Sequence, residues 1–203
     1  NAMQAAVPVG EGAMAAVLGI GLEQARGLAA AAAQGGICAI ANDNDPGQVV
    51  LSGDKAAIGR AIELAKSHGA RRAVPLDVSA PFHCPLMAPA AERMREALAA
   101  VDVRAPVVPL VANVLAAPTS DPADIKLRLV EQVTGTVRWR ESVAMMAAAG
   151  VTEVHEIGAG KVLTGLAKRI VASLEARAVG APDDIGPALA ALKLARGAAR
   201  CST

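Results

Sequence analysis

The sequence is almost without aromatic residues. Among 203 residues, Phe82 and Trp139 are the whole aromatic set, and tyrosine is absent. That excludes the stacking platforms on which binders of single-stranded nucleic acid lay their bases. An excess of charge is also lacking. Twenty Lys and Arg against 19 Asp and Glu leave a formal net charge of +1, which excludes a strongly basic nucleic-acid binder. Cys38, Cys84 and Cys201 are odd in number and share no CxxC spacing, so neither a disulfide framework nor a zinc site is expected, and a cytoplasmic location is. The three histidines never fall at metal-ligand spacing, and no metal is expected. No uninterrupted apolar run reaches the ~18 residues of a membrane span. The first residues, Asn1-Ala2-Met3-Gln4, carry no basic signal-peptide region.

What the sequence has instead is hydrophobic bulk, at 53% of residues, enough for a sizeable core in one or two domains. Alanine makes up roughly a quarter of the chain, and its high helix propensity predicts closely packed helices.

The first half alternates. Ala13–Leu18 is an apolar strand candidate. Leu22, Ala25, Leu28 and Ala32 repeat at helical spacing until Gly35-Gly36. Ile37–Ala41 predicts a second strand, Asn42–Gly47 (NDNDPG) a turn, and Gln48–Leu51 a third strand. Ser52 is the candidate cap of a helix carrying Ile58, Ala61, Ile62 and Ala65, closed near Gly69. Arg72–Leu76 is a fourth strand, with Pro75 marking an edge. This order, β-α-β-β-α-β, predicts a ferredoxin-like α+β unit over 11–78, preceded by a short lead-in over 1–10.

The second half, 79–203, changes character. Val78–Met87 (VSAPFHCPLM) is irregular, with two prolines. A helix carrying Met87, Ala90, Met94 and Leu98 follows. Val107–Val111 is a buried-strand candidate. Asp121–Val133, Arg140–Ala149 and the segment after Gly158-Ala-Gly160-Lys161 are helix candidates, Val151–Ile157 a strand, and Pro182–Ala195 a last helix. The alternation implies an α/β layer, but two strong strands are too few to complete one.

His83 is the most informative residue. A histidine in a proline-bracketed loop before a helix has few ring positions, and its near-neutral pKa suits a general base. A packed loop histidine is the competing reading. His68, at a helix end, suits the helix dipole, and His155 suits strand packing. Cys84 has nothing that marks a nucleophile. GAGK lacks the spacing of a Walker loop, although a helix N-terminus there offers a weak phosphate or pantetheine contact.

VSAPFHCPLM, with NDNDPGQVVLSG upstream, VPLVANV and the Glu131–Trp139 stretch between, and EIGAGKVLTGLAKRI downstream, resembles the malonyl-CoA:acyl carrier protein transacylases of bacterial fatty-acid synthesis. The resemblance runs nearly gap-free from about Met3 to Ile170. It implies that 79–203 is part of a large α/β hydrolase-like acyltransferase domain. It also implies an acyltransferase in which a serine of a G-H-S-x-G elbow attacks the malonyl thioester. His83 corresponds to the base. Gln132 corresponds to the residue whose backbone carbonyl fixes the base's tautomer, a role taken by a carboxylate in hydrolase triads. Asn113, Asn42 and Asn44 correspond to polar pocket residues. Phe82 corresponds to the phenylalanine of malonyl-selective polyketide synthase acyltransferase domains, where a ring would crowd an α-methyl branch. Simple core packing is the other reading of Phe82.

The substrates so implied are malonyl-CoA and the phosphopantetheine of acyl carrier protein, with no cofactor, nucleic acid or membrane. Arg71, Arg72, Lys161, Lys168 and Arg169 are candidates for steering that acidic carrier, or are plain surface charge. The decisive departure is an absence. No G-x-S-x-G occurs in these residues, and the family's carboxylate-clamping arginine falls upstream of Met3–Gln4. The chain therefore reads as a C-terminal fragment with the base but not the nucleophile, inactive alone and prone to self-association. A non-enzymatic carrier-binding module and one half of a split enzyme are the alternatives.

Overall fold

A computed structural model describes residues 2–200. The chain forms two compact units that part at Met145/Met146, within a helix. The first unit holds α1 (Ala2–Ala5), β1 (Gly12–Leu18), α2 (Leu22–Ala33), β2 (Cys38–Asp45), β3 (Gln48–Asp54), α3 (Lys55–Leu64) and β4 (Arg72–Pro75). A 3-10 turn (Pro85–Met87), α4 (Ala88–Ala99), β5 (Leu110–Ala112), β6 (Ala117–Thr119), α5 (Pro122–Thr134) and α6 (Trp139–Ala148) follow.

β1 to β4 form one antiparallel sheet in the order β2-β3-β1-β4. The element order over this stretch is β-α-β-β-α-β, and the proline-bearing β4 is an edge strand, where a missing N–H costs no ladder bond. One sheet face carries Ala15, Val17, Val49 and Leu51 against Ala25, Leu28 and Ala32 of α2 and Ile58 and Ala61 of α3. Alanine on the helix side lets backbones approach the sheet closely, which is where the alanine-rich composition is used. Arg60 of α3 reaches back to the Ala32 and Ala33 carbonyls at 2.8 Å each and satisfies the end of α2. The other sheet face carries Met14, Ala41 and Val50, which meet Phe82.

Two local expectations are corrected here. NDND is not turn but strand. β2 continues to Asp45 through register shifts at Ile40/Asn42 and Asp43/Asp45, and only Pro46-Gly47 makes the bend. The polar run is tolerated because Asp45 takes the Gly47 N–H at 2.8 Å and Asp43 finds partners described below. Ser52 is not a helix cap. It is buried inside β3, and Asp54 occupies the N-cap position.

Val107–Val111 is likewise not a buried strand. Val107 is fully exposed, and the strand is the three-residue β5, paired antiparallel with β6. Pro106 and Pro109 remove the donors that a longer strand would need.

The second unit is built from β7 (Glu153–Ile157), α7 (Val162–Ile170), β8 (Glu175–Val179) and α8 (Pro182–Arg200). β7 and β8 pair in parallel, with His155 opposite Arg177, as a strand–helix–strand crossover allows. β8 has no counterpart in the sequence reading, because a five-residue strand with two charges carries little hydrophobic signal. Leu174 lies beyond α7 and is buried just before β8. Cys201 lies outside the described residues. Among the described residues no helix is long and apolar enough to cross a membrane.

Candidate active site

The loop before α4 is shaped by close packing at its two ends. At Gly12 of β1, an added Cβ would collide with the Pro81 ring, so only glycine lets the strand pass the loop. Ala80, Pro81 and Cys84 are buried. The Cys84 thiol donates to the Pro81 carbonyl at 3.1 Å, and the Met87 N–H closes on the Cys84 carbonyl at 3.0 Å. Between these anchors His83 holds φ at +58°. That left-handed conformation is uncommon outside glycine, costs on the order of 1 kcal/mol, and concentrates at functional positions.

The His83 Nδ1 lies 2.9 Å from the Gln132 main-chain carbonyl oxygen. A carbonyl only accepts, so Nδ1 carries the proton and Nε2 is the ring's free acceptor in the neutral state. The Gln132 side-chain nitrogen also lies 3.5 Å from Nδ1. Two donors cannot share that contact, and the same side chain makes a 2.8 Å bond to the Gly135 carbonyl instead.

Why that carbonyl is available is a matter of helix ends. α5 starts with Asp121 accepting the Asp124 N–H at 2.8 Å and stops at Thr134. Its last carbonyls lack intrahelical donors. Gly135 leaves in extended conformation (φ −93°, ψ 153°). A Cβ there would sit 2.7 Å from Val114 Cγ2 and 2.9 Å from the Glu131 carbonyl oxygen.

His83 lines a cleft of about 460 Å³ together with Ile40, Asp43, Thr136, Arg138 and Glu141. Two ion pairs dominate its electrostatics. Arg138 pairs with Glu141, Nε to Oε1 at 3.0 Å, and hydrogen bonding from Arg138 holds the Glu141 carboxyl below the usual carboxylate range. Arg140 grips Asp43, with Nε 3.0 Å from both carboxylate oxygens and Nη2 2.7 Å from Oδ2. Asp43 is 1% exposed, and its hydrogen bonds raise the Arg140 pKa further. None of Asp43, Thr136, Arg138, Arg140 and Glu141 emerged from the sequence. The closely spaced charges of NDND and RWRE were the only signal, and a run of surface charge looks the same.

The other candidate residues fall in several places. Phe82 is half-buried and packs against both the sheet face and the cluster of Val7, Met87, Ala90 and Val133. Asn42 and Asn44 are half-buried on β2, Asn42 in a parallel bridge with Val137. Asn113 follows β5, and its carbonyl accepts the Arg138 N–H at 3.0 Å. Among the described residues, these four are not part of the cleft lining around His83. Arg71 and Arg72 are exposed at the start of β4. Lys161 is the N-cap of α7, and Lys168 and Arg169 occupy its last turn, where positive charge suits the helix dipole. A larger concavity of about 780 Å³ between α1 and α4 is lined by alanines, Pro89, Arg93 and Glu96, and among the described residues offers neither histidine, serine nor cysteine.

The phosphate or pantetheine contact suggested for the GAGK helix is corrected. The N-terminal amides of α7 are occupied by Glu156, which accepts from Leu163 N at 3.1 Å, Thr164 N at 2.8 Å and Thr164 Oγ1 at 2.7 Å. His68 Nδ1 lies 3.1 Å from the Leu64 carbonyl at the end of α3. His155 is half-buried, with Nε2 3.3 Å from Glu153 Oε1. Burial pushes the Cys38 thiol up to about 11 and raises that of Cys84, so neither is a thiolate near neutrality. Among the described residues no group of three or more His, Cys, Asp or Glu could hold a metal ion.

No family model matches the chain. A malonyl CoA-acyl carrier protein transacylase of Bacillus subtilis is 46% identical over 192 residues, covering 94% of this chain and 61% of that protein. Among solved structures, the acyl-carrier-protein S-malonyltransferase of Bartonella henselae is similar with a TM-score of 0.92 and 52% identity, covering 95% of this chain and 62% of that one. A type II polyketide acyl-carrier protein in complex with its malonyl-transacylase matches with a TM-score of 0.86 and 44% identity, covering 88% of this chain and 58% of the other. The chain spans about three-fifths of the length of the curated relatives it matches.

Proposed function

We propose, from homology to the malonyl CoA-acyl carrier protein transacylases over nearly the whole of this chain, that these residues carry the base-bearing part of an enzyme moving malonyl groups from coenzyme A to acyl carrier protein. The observation that carries this reading is the 2.9 Å contact between His83 Nδ1 and the Gln132 carbonyl. It leaves Nε2 as the one basic atom of the ring, as a general base requires.

In the reaction, His83 Nε2 takes the proton of a serine hydroxyl as the oxygen attacks the malonyl thioester carbonyl. The C–S bond breaks, the coenzyme A sulfur leaves with that proton, and a malonyl-serine ester remains. His83 then takes the proton of the pantetheine thiol, whose sulfur attacks the ester, and returns it to the serine oxygen. The carbonyl of Gln132 holds the imidazole in the productive tautomer and stabilises the imidazolium. The serine is not among these 203 residues, since no G-x-S-x-G occurs in them.

In this reading Phe82, Asn113, Asn42 and Asn44, which stand outside the cleft lining around His83, shape the acyl pocket of the whole enzyme, with Phe82 selecting malonyl over methylmalonyl. Arg71, Arg72, Lys161, Lys168 and Arg169 face the acidic carrier, a partner supported by the carrier complex among the similar structures. The architecture is a ferredoxin-like subdomain over 11–78, after a lead-in over 1–10, joined to part of an α/β hydrolase-like domain over 79–203. The reaction uses no cofactor and takes place in the cytoplasm. Exposed Val9, Val107, Val108, Ile157 and Val162 support self-association of the isolated chain. Light scattering should show it growing with concentration, and a strict monomer would count against it.

The test is reconstitution. The 203-residue polypeptide, given malonyl-CoA and acyl carrier protein, should transfer no malonyl group. Supplying the serine-bearing segment of a relative, in trans or by fusion, should create activity that His83→Ala removes almost entirely. Transfer by the 203 residues alone, or full activity in reconstituted His83→Ala, would overturn the reading.

A further inference from the structure

We infer that the buried Asp43–Arg140 ion pair is a positioning device for His83. It ties the connection after α5 to the edge of the four-stranded sheet, and so ends that helix at the turn where the Gln132 carbonyl is left for the imidazole. The inference rests on the reading of His83 as the base.

In an uninterrupted helix the Gln132 carbonyl would accept the Thr136 N–H, four residues on. The preceding carbonyl, Glu131, still receives the Gly135 N–H at 2.8 Å. Gln132 is therefore the first carbonyl released by the break, and the imidazole takes the place of the missing donor. Had α5 run one residue further, that oxygen would already be engaged.

What draws the chain away at Gly135 is a set of bonds to β2. The Thr136 hydroxyl donates to the Ile40 carbonyl at 2.7 Å. The Val137 N–H donates to Ala41 O at 2.8 Å, and the Asp43 N–H to Val137 O at 2.9 Å. Arg140 then closes on the Asp43 carboxylate through Nε and Nη2. The first three are neutral bonds that water or a longer helix could replace. The last is charge-assisted and forked, and one of its partners is wholly buried. Removing Arg140 leaves a carboxylate that water reaches poorly, so β2 and the connection must separate to solvate it.

The pair makes its link to His83 through the Gln132 carbonyl, which makes it a positioning pair and the ring tautomer its readout. In the 15N-labelled 203-residue chain at about pH 8, where histidine is neutral, ring nitrogen shifts should report a proton on Nδ1 of His83. Arg140→Ala and Asp43→Ala should move the ring toward the Nε2–H form, and Arg140→Lys should restore part of the Nδ1–H signal. Arg60→Ala, which removes bonds far from this connection, should lower the melting temperature without moving the ring. Should Arg140→Ala fail to fold, the neutral double variant Asp43→Asn/Arg140→Gln avoids a lone buried charge and should shift the tautomer in the same direction.

Variants that lose stability while His83 stays Nδ1–H would overturn the inference and leave the pair a structural one. The base reading fails separately, in reconstituted His83→Ala, because the ring measurement needs neither substrate nor serine.

Discussion

His83 and Gln132 are 49 residues apart in sequence and 2.9 Å apart in space, imidazole Nδ1 to main-chain carbonyl oxygen. The acceptor is backbone, so the side chain at 132 is not what orients the ring. Gln132→Ala should cost about 1 kcal/mol through the lost bond to Gly135 and should leave the Nδ1–H tautomer in place. Gly135→Ala should do more harm, since its Cβ would press on Val114 and on the Glu131 carbonyl. Chemical denaturation and ring 15N shifts of the two variants check both expectations.

Phe82 bridges two apolar clusters. Truncating it to alanine should destabilise the chain by about 2 kcal/mol, less than a fully buried Phe because the ring is half-buried. If the ring also crowds an α-methyl branch, Phe82→Ser in the reconstituted enzyme should narrow the preference for malonyl over methylmalonyl by about 1–3 kcal/mol, or roughly 10- to 200-fold. Lost stability with unchanged selectivity would make Phe82 a packing residue alone.

Arg60 satisfies two carbonyls at the end of α2. Arg60→Ala should cost about 1–2 kcal/mol, visible as earlier urea unfolding. Lysine should recover only part, because one ammonium cannot reproduce the guanidinium fork.

Glu156 caps α7, and its hydrogen bonds with Thr164 hold its carboxyl below the ordinary value. The folded state therefore binds this proton less readily than the unfolded chain does. The stabilisation is present in full above the unfolded carboxylate pKa, and it disappears as pH falls through the lower, folded value. Amide exchange of Leu163 and Thr164 should accelerate in acid below about pH 4.5, relative to helix amides elsewhere. In Glu156→Gln that pH dependence should vanish.

The Cys38 thiol is pushed up to about 11. Compared with an ordinary cysteine, its thiolate fraction near neutrality falls by about 100-fold or more. Alkylation mapped by peptide mass should show Cys38 reacting at least that much more slowly in the folded chain than in urea, and the buried Cys84 should be slow as well.

Much of the fold was legible because it rests on local patterns. The spacing of Leu22, Ala25, Leu28 and Ala32 predicts α2, and Gly35-Gly36 its end, since a helix buries one stripe and stops where the backbone is freest. The motif around His83 and the Glu131–Trp139 stretch pointed to His83 and Gln132, which the structure brings within 2.9 Å of each other. The failures came where a tertiary partner overrode propensity. NDND looks like a turn until Arg140 neutralises Asp43 and Val137 pairs with the edge of β2. Ser52 looks like a cap until β3 runs through it. EARAV looks like nothing until β7 supplies its ladder.

By themselves, the residues determined the helix and strand faces, the near absence of aromatics, the presence of a candidate base and the lack of a G-x-S-x-G serine in this stretch. These follow from side-chain type and short-range spacing. The resemblance named Gln132, but only the tertiary structure shows how its carbonyl is freed to meet His83, because that depends on where α5 breaks, and the break depends on bonds to a strand almost a hundred residues away along the chain. Local sequence carries the propensity to end a helix. Long-range hydrogen bonds and one buried ion pair choose the residue at which it ends.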